Sequence, residues 1–449
     1  MILSRSRQGT RVITLLAVVV SGAALTGCDS LTGMMSSRNA TSLDIAGEAA
    51  SVGPAAALEA EMEDGTTSGL IDGLLNRQSI LEPGPMRDVA DAVMAANSRA
   101  AEADLRAATL RAEAKAMNWL PTIGPSVSLT SLGAVVTSLV VNQALVDFGG
   151  RRAERDYAKH DVEVAAVALA ADSNTRVMEA LELYLTAEAA RARAAVNADA
   201  MGQMRHFAYV MSERVNAGIS DRADLQVVQQ KHNQMAADMA SDTETAASAL
   251  AELQAMAATP LADVHGVSPL AAPSLTAVPL SVMKAEAESS RAVAAARAAR
   301  SGLLPGLAIG GSVGSEGENL GLTLGAANAL GLGLGAQMEA IDAESEATAA
   351  RVVAEREAAD REIAALQGRL NSLRRQEAEA RQLATQAAQN YALFAEQQRA
   401  GQRGVTEVVS VFETKVRSER TAVELRYDII LAELKIAERL GVLVDGERI

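Results

Sequence analysis

The apolar positions of this chain recur with two different periods, and each change of period marks a change of element. From Met86 to Asn118, Val89, Val93, Leu105 and Leu110 stand amid alanine and charge at helical spacing, and Pro121 ends the run. The period then falls to two. Val127 and Leu129 alternate with Ser126, Ser128 and Thr130, and a β-branched run from Val135 to Val141 follows Gly133, which predicts a strand hairpin. From Arg151 to Asn216 there is no proline, and Val177, Leu181, Tyr184, Leu185, Met204, Phe207 and Met211 mark one packed stripe. A helix of that span is roughly 100 Å long, too long for an ordinary globular domain. A return helix is expected from Asp221 to about Ala258.

Prolines at 260, 269, 273 and 279 punctuate a connector, after which a helix resumes from about Ser281 to Ser301. Beyond Pro305 the strand pattern is Leu307, Ile309 and Val313 against Gly310 and Ser312. It continues as Leu320, Leu322, Leu324 and Leu330, Leu332, Leu334, alternating mostly with glycine. A second long helix is expected from about Ala340 to Ala400. Its return helix carries the heptad Val409, Val416, Val423, Ile430, Ala437, a coiled-coil seam.

Two turns organise these helices. Asn216-Ala217-Gly218-Ile219-Ser220-Asp221 and Arg399-Ala400-Gly401-Gln402-Arg403-Gly404 each place a glycine stop between two long helical patterns, so each is the tip of a helical hairpin. Their glycines stand 183 positions apart (401 − 218 = 183). Trp119-Leu120-Pro121 recurs as Leu303-Leu304-Pro305, and Leu250-Ala251-Glu252-Leu253 as Leu431-Ala432-Glu433-Leu434, at nearly the same interval. That regularity is an internal duplication. In both halves the short helices together match the length of the long one, so they are expected to stack end to end alongside it.

Composition changes the picture in two ways. Only 2% of the residues are aromatic, which suits long helices packed through small side chains better than a thick core. The net charge of −15 makes nucleic acid an unsuitable partner and is accounted for by solvated helix faces. The four histidines (His160, His206, His232, His265) lie far apart in sequence, and the only cysteine is Cys28, so no metal or disulfide framework is expected. The glycine-rich run lacks the Lys and Ser/Thr of a phosphate loop. No enzyme, catalytic residue, metal or cofactor is indicated.

The N-terminus reads as an export signal. Arg5, Arg7 and Arg11 precede an apolar run from Val12 to Leu25, too short for a stable span, and Leu25-Thr26-Gly27-Cys28 resembles the lipobox of bacterial lipoproteins. That resemblance makes Cys28 the lipidated mature N-terminus, while Asp29 resembles an inner-membrane retention signal of some bacteria. The expected organisation is a signal peptide over 1–27, an extended arm over 28–85, a first repeat over 86–260, a connector over 261–280, a second repeat over 281–443 and a C-terminal tail over 444–449. The fold class is mainly α with a small β part.

Gln143-Ala144-Leu145-Val146-Asp147-Phe148-Gly149-Gly150-Arg151-Arg152 and Ala217-Gly218-Ile219-Ser220-Asp221-Arg222-Ala223-Asp224-Leu225-Gln226 together resemble the TolC family of outer-membrane efflux and secretion ducts. The resemblance spans roughly residues 86 to 443. Ala144 stands where the family usually has proline, and Gln337-Met338-Glu339-Ala340 replaces the strand exit in the second half. It implies a homotrimer with a 12-strand β-barrel on a 12-helix α-barrel. Independently, a bilayer tolerates β-structure only as a closed barrel, which four strands cannot form alone.

The resemblance further implies a passive exit duct in the outer membrane of a Gram-negative bacterium. It would dock to a periplasmic adaptor and an inner-membrane transporter through tips at Gly218, Ile219, Ser220, Asp221, Gly401 and Gln402. Asp224, Arg403 and Glu407 match positions that hold or line the family's aperture, whereas Gln398 replaces a tyrosine partner and Ser410 a second acid. The alternative is a lipid-anchored periplasmic coiled-coil scaffold or adaptor without a pore, in which segments 305–335 would be loop.

Overall fold

The computed structural model describes residues 68–96, 100–129, 135–272, 277–314, 317–325 and 333–448, all within one compact unit, 52–449. The expected signal peptide, Cys28, Asp29 and the arm up to residue 67 lie outside the described residues, as do Leu330 and Leu332.

Among the described residues eight helices and four strands follow in order: α1 (Gly69–Leu75), α2 (Pro85–Met94), α3 (Ala100–Ala116), β1 (Thr122–Leu129), β2 (Val135–Val146), α4 (Gly150–Asn216), α5 (Arg222–Met256), α6 (Leu280–Gly302), β3 (Gly306–Gly314), β4 (Gly317–Gly325), α7 (Leu334–Arg399) and α8 (Val405–Leu440). A 3-10 turn at Gly446–Arg448 closes the chain. The strands form one antiparallel sheet in the order β1-β2-β3-β4, so the two halves meet between β2 and β3, and β1 and β4 are its edges.

The helices repeat that order. α4 packs on α3 and α5 on one side and on α6 and α8 on the other, while α7 packs on α6 and α8. Four columns result: β1 with α3 and α5, β2 with α4, β3 with α6 and α8, β4 with α7. Burial follows from position. α4 has neighbours on both flanks and buries residues along its length, including Val177, Leu181, Tyr184, Leu185, Met204, Phe207 and Met211 of the expected stripe. α7, on an outer column, buries only Thr348, Ala359, Leu370, Leu373, Ala380 and Ala387. Along α8, Val409, Val416 and Ala437 of the expected heptad are buried, and Val423 and Ile430 are half-buried.

End-to-end stacking is visible at the joints. The Ala258 amide, just past α5, donates to the Ala92 carbonyl of α2 at 2.9 Å. Alanine makes the close packing possible: Ala166, Ala170, Ala180, Ala187 and Ala190 of α4 are all buried. Nearer the tips a second core joins Met204, Phe207 and Met211 of α4 to Val228 and Met235 of α5 and Val408, Val409 and Phe412 of α8.

Four expectations are corrected. The single helix from Met86 to Asn118 is two helices, α2 and α3. The end of the expected arm is folded: α1 buries Ile71 and Leu74, and Ile80 and Leu81 are buried beyond it. The second long helix begins at Leu334, so Gln337–Ala340 lies within α7 and Leu334 is not strand. The expected tail is packed too, since Val444 is buried and the Gly446 amide donates to the Arg77 carbonyl at 2.9 Å.

The junction from β2 to α4 explains why the strand exit has its sequence. The Asp147 carboxylate accepts from the Gly149 amide (3.1 Å) and the Arg151 amide (2.7 Å), occupying donors that a helix start leaves free. Gly149 takes φ 85°, where a side chain would strain the backbone, and a Cβ on Gly150 would fall 2.5 Å from Ser301 Oγ. Asp147→Ala should therefore cost about 0.5–2 kcal/mol. The check is a lowered denaturation midpoint with an unchanged slope.

Candidate functional site

Directly opposed residues of an antiparallel pair share a face, so the strand registers sort the sheet into two surfaces. Ile123 pairs with Val141, Leu139 with Val313, Ile309 with Leu322, and Leu307 with Leu324. One face is thus mostly aliphatic, interrupted by Thr137, Gln143 and Glu318, yet it is exposed: Leu320 is 81%, Leu322 66% and Leu324 73% accessible. The other face carries Ser126 opposite Ser138, Asn142 opposite Gly310, and Ser312 opposite Asn319. It is mostly small or polar, with Val136 and Val140 the larger apolar exceptions. A Cβ on Gly310 would fall 2.7 Å from Asn142 Oδ1, so the glycine makes room for the amide.

A strand needs about 9–11 residues to cross a bilayer core. β2 has 12 residues, β3 and β4 have 9 each and β1 has 8. An apolar outer face with a polar inner face is the dyad pattern of a membrane β-barrel wall. Among the described residues, β1 and β4 have no neighbour on their outer sides. Among the described residues no helix is long and apolar enough to cross a membrane.

At the opposite ends of the long helices are the two tips. Gly218 (φ 72°) and Gly401 (φ 74°) terminate α4 and α7 in the left-handed region. In the first tip the Ile219 amide donates to the Arg214 carbonyl at 2.8 Å, Arg214 Nε donates to Ser220 Oγ at 3.0 Å, and Asp221 caps α5. Ile219 is exposed. In the second tip the Gln402 amide donates to the Gln397 carbonyl at 2.9 Å.

Of the expected aperture residues, the structure brings Arg403 and Glu407 together. They form an ion pair at 3.1 Å one helical turn apart, with Arg403 Nε also donating to Gln397 Oε1 (3.1 Å) and its guanidinium lying 4.6 Å from the Phe394 ring centre. Asp224 is half-buried in the first turn of α5, and among the described residues no ion pair joins it to Arg403. Ser410 donates to the Thr406 carbonyl within its own helix.

Sequence reasoning missed the brace that holds the columns where short helices abut. Arg77 donates to the carbonyls of Leu440 at the end of α8 and Val278 before α6. Burial pushes the Arg77 guanidinium down to about 10, still protonated at neutral pH. Arg176 plays the matching part in the first half, reaching the carbonyls of Val93 (3.4 Å) and Met256 (3.2 Å). Cations at helix C-termini occupy carbonyls that have no partner inside the helix. Burial raises Glu163, but hydrogen bonds from His160 and Ser68 outweigh it and hold the carboxyl below its usual range. The hairpins are tied lower down by Asp242, held by Arg193 and Arg420 at 2.9 Å each, and by Lys231 with Glu413 at 2.6 Å. Nothing in sequence spacing signals these partners. Among the described residues no cluster of His, Cys, Asp and Glu fits a metal ion.

The two faces of the sheet predict opposite responses to charge. Leu322→Arg, on the aliphatic face, should cost about 2–4 kcal/mol if that face meets hydrocarbon at mid-depth. Its recovery from outer membranes should fall sharply. Thr323→Arg, on the other face, should be recovered as the parent is, by immunoblot of the membrane fraction.

No protein-family model matches the sequence, and no curated protein sequence matches it. Solved structures do. A membrane protein from Pseudomonas aeruginosa matches with TM-score 0.71 at 18% identity, covering 82% of this chain and 92% of that one. The CmeC outer membrane channel of Campylobacter jejuni matches at 0.68 and 13% identity, covering 83% and 90%. The outer membrane protein VceC of Vibrio cholerae matches at 0.65 and 14% identity, covering 85% and 96%. The chain has the fold of the solved outer-membrane channels, in agreement with its resemblance to the TolC-type ducts.

Proposed function

We propose that this chain is one subunit of a trimeric outer-membrane exit duct, a passive channel through which an inner-membrane transporter and its periplasmic adaptor export substrate. The observation that carries the proposal is the sheet: one exposed aliphatic face, one small polar face, and two open edges. Open strand edges in hydrocarbon leave N–H and C=O groups unpaired, so the sheet has to be completed by other copies. Three copies give the 12 strands that the resemblance implies. The similarity in fold to outer-membrane channels supports the same reading. Cys28 supplies a lipid anchor in addition to the barrel, and the tips at Gly218–Asp221 and Gly401–Gln402 meet the adaptor. A scaffold without a pore leaves the exposed leucines of β4 without an apolar surrounding.

The tips form the aperture. Arg403 neutralises Glu407 in each subunit, so the closed ring carries little net charge from that pair. Both side chains are substantially exposed, and such a pair contributes only about 0.2–1 kcal/mol. Single-channel recording in a planar bilayer tests the proposal: the purified protein should conduct, and the scaffold should not. Arg403→Ser should raise conductance and cation selectivity by baring three carboxylates, whereas Glu407→Gln should lower cation selectivity by leaving three cations. A protein that inserts no conducting unit refutes the duct. Unchanged selectivity in both variants places the aperture elsewhere.

A further inference from the structure

The outer columns carry a second pattern, distinct from the sheet. α7 is rich in charge, yet from Gln382 to Ala395 it has none. Leu383, Gln386, Asn390 and Leu393 recur there at spacings of three and four, all exposed, with Leu383 and Leu393 each 58% accessible. On α5, at the other side of the molecule, Val227, Gln230, Gln234 and Ala237 recur at the same spacings, and all are exposed. From Leu225 to Ala237 the single charge is Lys231, which is turned into the chain against Glu413 at 2.6 Å. A three-four repeat of apolar and amide side chains is a coiled-coil seam, and among the described residues no helix covers either stripe.

The heights of the two stripes agree. Phe207 precedes Gly218 by as many positions as Phe412 follows Gly401, and their rings meet edge to face at 5.7 Å, so the two tips lie level. Counting from those glycines, Leu393 stands level with Val227 and Asn390 with Gln230, to within one position. Gln386 likewise matches Gln234, and Leu383 matches Ala237. α7 runs toward its tip and α5 away from its own, so the two would meet antiparallel.

We infer that these stripes are the lower seam between subunits: α7 of one copy packs antiparallel on α5 of the next, with two amide pairs between two apolar pairs. The inference rests on the trimeric reading above and adds the surfaces, their direction and their register. It commits to a second copy of this chain because both stripes lie in the columns that end in β4 and β1, the strands whose edges also need a neighbour. Facing carboxamides can donate and accept at once, and polar residues within an apolar seam fix register at some cost in stability. A charged helix of a different protein would find no opposite charge along this band. Joining unlike edges by a rotation that closes makes a ring, as the trimeric reading requires.

Cysteine pairs test the register. Leu393→Cys with Val227→Cys, and separately Leu383→Cys with Ala237→Cys, should on mild oxidation in membranes yield linked dimers and, at the limit, covalent trimers that reductant collapses. Leu383→Cys with Val227→Cys is displaced by about 15 Å along the helix and should link at least tenfold less. Each single variant, which retains Cys28, is the background. The parent's mass in detergent is measured alongside. A trimer in which neither matched pair links, or the displaced pair links equally, overturns the seam and leaves the duct reading standing. A folded monomer overturns both.

Discussion

The constraint on which the structure depends is that strands inside a bilayer need every backbone hydrogen bond met by protein. The sheet meets that condition between β1 and β2, β2 and β3, and β3 and β4, and leaves it open at two edges. In the proposed duct the aliphatic surface faces hydrocarbon, which makes the open edges untenable, and further copies that continue the sheet relieve both pressures together. The helices inherit the arrangement, because each strand runs into or out of a helix of the same column.

Below the sheet the problem is mechanical. Helices of roughly 100 Å (α4) and the short segments beside them need support where the short ones end. Arg176 and Arg77 provide it at related places in the two halves, each tying carbonyls at a helix end to those of the segment stacked beyond it. Alanine on α4 lets neighbouring helices approach closely, and large side chains gather near the tips, where Phe207, Phe412 and Tyr391 meet. The tip turns are held by bonds within each hairpin, and Ile219 is exposed.

Much of this was legible in the residues. Gly218 and Gly401 are positions that a left-handed turn requires, so the hairpins could be placed from sequence. The period-two alternation of Val127 and of Leu320, Leu322 and Leu324 marked strands correctly. The same Leu-Gly alternation misled at Leu334, where it runs into a helix, because glycine and leucine give no β-branched signal to mark the boundary. The arm was misread over 69–81 because the helical spacing of Leu70, Ile71, Leu74 and Leu75 lasts only two turns, within a stretch whose small and polar composition reads as extended. Arg77 and Arg176 were illegible for a different reason: they bind backbone carbonyls, which carry no sequence signature. The Arg403–Glu407 pair was visible as a four-residue spacing, and the resemblance named both residues together with Asp224.

The central claim is that one copy of this chain is an incomplete wall, and association is therefore a condition of its membrane fold. Sedimentation of the detergent-extracted full chain tests that claim most directly. The account predicts a single species of three chains whose strand structure and mass are lost together on denaturation; a monodisperse, folded monomer that keeps its strands would contradict it.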